Sequence, residues 1–263
     1  SMFSYDLLLG HRWLLGHGGL LFGFNHHRMA EKIPSAETTR LLLNRCSGLL
    51  FARERLERRE FTATDADFVQ RNIAKAELAF GDAVLAAHGQ YHWSCTERKQ
   101  RLDRLEPADT PAWLDEVRRR HAAGVNFKLH PWRSTATRAA LAEEHAAVVT
   151  LGLNVWLWQE QRRLGAHFPS ARSYAGSRGD KCPEAGPLRN VLVNLKFGGP
   201  ASLCRLQSLR HPRDGVLREL CRLLWEPAIR PLPPDHPEAA RPPAAVPFPD
   251  RVAAYKARWQ RVN

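Results

Sequence analysis

The segment 146–158 (AAVVTLGLNVWLW) constrains the fold of this chain more than any other part. It carries no charge over thirteen residues and lies inside a helical pattern running over about 135–164, opened by Ser134. Thirteen residues are too few to cross a bilayer, which takes about 20. A helix that is apolar nearly all round and not in lipid must be enclosed by other helices. The expectation is an all-α chain, a multi-helix bundle with this long helix buried at its centre.

Helix signals elsewhere agree. Ser35 is placed to cap a helix reaching about Arg58, with a wide face of Leu41, Leu42, Leu43, Cys46, Leu49 and Leu50. Thr62 or Thr64 opens the next, over about 65–88, which ends at Gly89. Ser94 and Glu97 have capping-box spacing for a short helix to about Leu105. Thr110-Pro111 begins another that is expected to stop at Gly124. Residues 166–187 read as a loop, followed by helices near 188–197 and 214–225. Residues 1–34, broken by glycines, read as an irregular segment, the end of a domain lying upstream. The helical domain is then 35–226. Residues 227–249 hold nine of the 18 prolines and read as a linker or strap. Residues 250–263 form a terminal amphipathic helix with Val252, Tyr255, Trp259 and Val262 on one face. No alternating strand pattern and no internal repeat is present, which argues against a nucleotide-binding α/β core.

Five scattered cysteines without metal-ligand spacing, and no secretory leader pattern, fit reduced thiols in a cytoplasmic protein. The net charge of +12 is uneven: residues 1–106 carry 15 Lys+Arg against 13 Asp+Glu, and residues 107–263 carry 24 against 14. Such an excess can meet phosphate or nucleic acid. With 32 arginines and 7 lysines it is equally read as a basic surface without a partner.

The helix over 65–88 carries the most informative polar residues. At 100° per residue, Arg71, Lys75 and Asp82 fall within an arc of about 40°, with Asn72 about 60° further round. The rest of that helix is mostly apolar: Phe68, Val69, Ile73, Leu78, Phe80, Val84 and Leu85. Charges in such surroundings must be paired or solvated. Two readings follow. Either Arg71 and Lys75 face an anion in a cleft, or Asp82 and Lys75 close a structural network with Asn44-Arg45 of the preceding helix. A short connection favours antiparallel packing, which brings Asn44 and Arg45 to the stripe. The candidate ligand-binding set is therefore Asn44, Arg45, Arg71, Asn72, Lys75 and Asp82.

Other patterns are weaker. His88, His92 and Cys95 have metal-like spacing, but Gly89 takes the histidines off a shared helical face, so no metal site is expected. Asp65 and Asp67 resemble paired magnesium carboxylates, but no glycine-rich turn precedes them and they sit at a helix start. Arginine followed by histidine, as in HEPN-type ribonucleases, occurs at Arg138/His145, Arg162/His167 and Arg205/His211, a frequency chance explains. Tyr174, Arg178, Asp180, Lys181, Arg189 and Asn190 would suit a phosphate-facing lid or an ordinary solvated loop.

Several stretches together carry a resemblance: residues 5–16 (YDLLLGHRWLLG), 33–56 (IPSAETTRLLLNRCSGLLFARERL), 67–98 (DFVQRNIAKAELAFGDAVLAAHGQYHWSCTER), 190–199 (NVLVNLKFGG) and 211–225. They resemble the helical region that follows the catalytic domain in bacterial nucleotidyltransferase-like proteins. The resemblance implies a helical companion that helps to hold substrate, while a Gly-Ser turn and paired aspartates of an α/β domain bind nucleotide and magnesium. This chain lacks that turn, so no catalytic residue is carried over, and magnesium and nucleotide would belong to an upstream domain. Three functions are therefore expected to compete. They are a substrate-binding accessory region, a basic RNA-binding or RNA-cleaving helical protein, and an interaction module using 227–249 and the last helix.

Overall fold

The computed structural model describes residues 1–12, 14, 18–108, 111–198, 209–226 and 246–262. Within them the protein is an all-α bundle of ten helices, with no strand among the described residues. They are α1 (Met2–Gly10), α2 (Ser35–Leu56), α3 (Ala63–Ala87), α4 (Cys95–Arg104), α5 (Leu114–Leu129), α6 (Arg138–Leu164), α7 (Ala171–Gly176), α8 (Pro187–Gly198), α9 (Pro212–Leu224) and α10 (Phe248–Val262). Two 3-10 segments, Gly18–His27 and Ala30–Lys32, join α1 to α2.

The helix at the centre is α3. It packs against α2, α4, α5 and α6, and sixteen of its residues are buried. A full capping box starts it: Thr62 Oγ1 accepts from the Asp65 amide, and the Asp65 carboxylate accepts from the Thr62 amide. The segment 146–158 lies in α6, which is the longest helix but is not enclosed. Leu141, Val148, Val155 and Trp156 face the core, while Ala147, Thr150 and Asn154 are exposed. Alanine, threonine and asparagine at spacings of three and four make a solvent stripe that an apolar count hides.

Three further expectations are corrected. Residues 2–10 are helical, and Met2, Tyr5 and Leu8 are buried. Tyr5 and Met2 form a small second core with Ala30, Ala86 and Tyr91. Gly124 does not end α5, because its role is packing. A Cβ there would lie 2.7 Å from the Leu78 amide nitrogen and 2.8 Å from the Ala74 carbonyl oxygen, so glycine lets α5 approach the α3 backbone. Residues 171–176 form a short helix within the expected loop, capped by Ser170.

The last helix docks on its own chain. Val252 and Tyr255 of α10 are buried, and the Tyr255 hydroxyl lies 2.6 Å from Ser47 Oγ of α2. Phe51 of α2 meets the Trp259 ring edge-on at 5.7 Å. Residues 227–245 of the proline-rich strap lie outside the described residues. No helix among the described residues is long and apolar enough to cross a membrane.

Candidate functional site

Four of the six expected residues come together. Asn44 and Arg45 of α2 and Asn72 and Lys75 of α3 line one pocket of about 590 Å³. The size falls within the usual range for small-molecule sites, about 300–1,000 Å³. The pocket is a groove between α2 and α3 with α10 as its third wall, which contributes Val252, Lys256 and Trp259.

Its floor is made by the antiparallel packing of α2 and α3. Gly48 sits against Asn72, where a Cβ would come within 2.4 Å of the Asn72 side-chain oxygen. Asn72 Nδ2 donates to the Phe68 carbonyl at 2.8 Å, which holds the side chain flat along its own helix. One end of the groove contains Arg45 and Lys75. Towards the other lie Phe51 and Phe68, and the Arg55 guanidinium stacks on Phe68 at 4.6 Å.

The charges differ between the two ends. At the Phe68 end, Arg55 pairs with Asp65, and Arg58 pairs with Glu54 at 2.9 Å. Arg45 and Lys75 have no carboxylate or hydrogen-bond partner among the described residues. Burial holds the Arg45 guanidinium below its usual range, against the more distant pull of Asp82. Lys75 is exposed; partial desolvation, then repulsion from Arg45 and Arg71, lowers its ammonium. Beside them the Asn44 side-chain oxygen is buried without a donor. Buried polar atoms normally have partners, so this unpaired amide oxygen on the same wall as two unpaired cations sets the groove apart from the paired polar groups of the bundle.

Arg71 and Asp82 do not line the groove. Arg71 is exposed, and its Nε donates to the Asp67 carbonyl at 3.2 Å. Asp82 shares the angular position of Lys75 but lies about 10 Å further along the axis, where α4 and α5 cover α3. There its carboxylate lies 3.1 Å from Arg98 Nε and 3.1 Å from His121 Nε2. Arg98 also donates to the Tyr91 hydroxyl, which donates to Asp6 at 3.0 Å. Asp82 is therefore paired inside the bundle, but not with Lys75 or Asn44-Arg45 as the second reading of the stripe expected: its partners come from α4 and α5.

Sequence reasoning missed Phe51, Lys256 and Trp259. The amphipathic pattern of α10 signals that it docks, but not on what.

The other candidates are occupied. Asp65 caps α3 and pairs with Arg55, which holds its carboxyl at about 2. Asp67 accepts from the Ser134 amide and from Arg133. This pair does not fit magnesium, and no metal-holding group of His, Cys, Asp and Glu exists among the described residues. His88 stacks on Trp158, and His92 Nδ1 accepts from the Ser94 amide. Arg138 donates to the Leu56 carbonyl and His145 Nε2 lies 2.8 Å from the Leu49 carbonyl, so both serve the bundle. Arg162 stacks on Trp158, and Arg205 lies outside the described residues. Of the expected lid, Tyr174 and Lys181 are buried: Tyr174 donates to Glu160 at 2.7 Å, and the Lys181 ammonium sits over the Phe168 and Tyr174 rings. Within the basic half, residues 107–263, Arg163 pairs with Glu160 and Glu184, and Arg218 with Asp214.

No family model, curated protein or solved structure matches this chain.

Proposed function

We propose that this protein is a helical ligand-binding module, and that the groove between α2, α3 and α10 takes an anionic, phosphate-bearing small molecule. The observation that supports this most is the pair Arg45 and Lys75, two cations on one pocket with no carboxylate partner among the described residues, beside the unpartnered oxygen of Asn44. Buried Arg98 and Arg120 have Asp82 and Glu77 as counter-charges, and buried Lys181 rests over two aromatic rings, whereas Arg45 is half-buried and Lys75 exposed on the groove. An uncompensated pair is costly unless it is solvated or meets an anion. In the terms of the resemblance to nucleotidyltransferase-like proteins, this is the substrate-holding accessory role. No residue here is given a catalytic one, and the reduced thiols suit a cytoplasmic setting.

Calorimetric titration of the full chain with inorganic phosphate, at matched ionic strength, tests the reading. Saturable one-to-one binding that Lys75→Ala and Arg45→Ala each weaken at least tenfold, about 1.4 kcal/mol, is expected. Binding that is absent, or indifferent to both variants, would refute it.

A further inference from the structure

The groove is polarised along its length. Arg45 and Lys75 occupy one end. Phe51 lies six residues beyond Arg45 on α2, about 9 Å along the axis, and Phe68 and Trp259 complete an aromatic end. Phe51 and Trp259 hold each other edge-on at 5.7 Å, so the two rings present a fixed wall, not two independent side chains. Lys256 reaches over Phe51 at 5.7 Å without a carboxylate partner among the described residues. The Trp259 indole N–H is buried and has no acceptor among the described residues.

Resting on the reading of this pocket as an anion site, we propose that its ligand is a phosphomonoester of a flat aromatic group, bound with phosphate at Arg45 and Lys75 and with the ring at Phe51 and Trp259. Charge selects the headgroup. Two unpaired cations, in the added field of Arg71, are balanced better by a phosphate dianion than by a single carboxylate. The planar Arg45 guanidinium matches phosphate oxygens two at a time, and Lys75 adds a point charge. The Asn44 amide serves as donor or acceptor to the same group, since a flip exchanges its two ends. Shape selects the other half: Phe51, Phe68 and Trp259 offer faces and edges that favour a ring over a flexible alkyl chain.

Titration of the full chain with phenyl phosphate, n-hexyl phosphate and inorganic phosphate separates this class from the anion reading beneath it. Phenyl phosphate is expected to bind at least tenfold more tightly than inorganic phosphate, and more tightly than hexyl phosphate. Trp259→Leu keeps an apolar side chain for packing, and circular dichroism checks that the variant is folded. It is expected to remove most of the phenyl advantage while leaving inorganic phosphate binding within twofold; Trp259→Phe should restore part of it. Lys75→Ala is expected to weaken all three ligands. If inorganic phosphate binds but phenyl phosphate gains nothing, or hexyl phosphate binds as tightly as phenyl, the aromatic class is overturned and the anion site stands. If none of the three binds, both are overturned.

Discussion

The two ends of the polar stripe on α3 have the same angular position and opposite fates. At the C-terminal end, Asp82 is 5% exposed and meets Arg98, 3% exposed, and His121, fully buried. Five residues earlier, Glu77 meets Arg120 at 2.8 Å. At the other end, Lys75 faces Arg45 across a groove, and neither has a counter-charge among the described residues. The difference lies in what the neighbouring helices bring. α4 and α5 carry Arg98, Arg120 and His121 to α3, while α2 and α10 carry Arg45 and Lys256, cations opposite a cation. Whether a polar residue on an apolar helix is paired or left open thus depends on what its neighbours bring, and not on its own chemistry.

That contrast can be broken most forcefully at the paired end. Asp82→Asn leaves Arg98 as a buried charge without a carboxylate, and should cost about 3–5 kcal/mol in urea denaturation. Gly124→Ala pushes α5 off the α3 backbone and should cost about 1–3 kcal/mol by the same measurement. At the open end the order reverses. Lys75→Ala should change stability by no more than about 0.5 kcal/mol, yet weaken phosphate binding at least tenfold, about 1.4 kcal/mol. Arg45→Met, which replaces a desolvated and unpaired cation by a chain of similar length, should leave stability equal or slightly higher while weakening phosphate.

The smallest effect concerns pH. An anion favours the charged ammonium, so phosphate affinity falls as pH rises through the Lys75 titration. Partial desolvation and the neighbouring cations lower that titration, so the fall should begin at a lower pH than for an ordinary lysine. In Lys75→Arg the step should disappear, because arginine stays charged. Calorimetric titrations across the alkaline range would record both.

Much of this was legible in the sequence because helical periodicity survives without coordinates. A threonine cap for α3, left open between Thr62 and Thr64, its stripe and the antiparallel approach of Asn44-Arg45 all follow from spacing. What was not legible depends on long-range packing. Asp82 and Lys75 look alike on a helical wheel, and only the arrival of α4 and α5 two turns along separates them. Gly124 reads as a terminator until the α3 backbone is seen against it. Lys256 and Trp259 stand more than 180 residues from Lys75, and nothing local ties α10 to this groove. In α6, alanine and threonine read as core although they face solvent.

The most direct test is the thermal midpoint of the wild type and of Lys75→Ala, each with and without phosphate at matched ionic strength. A ligand that binds only the native state raises the midpoint in proportion to its occupancy. The two proteins should melt together without phosphate, and phosphate should raise only the wild-type midpoint. An equal rise in both, or no rise in either, would contradict the claim that the unpaired end of α3 is an anion site.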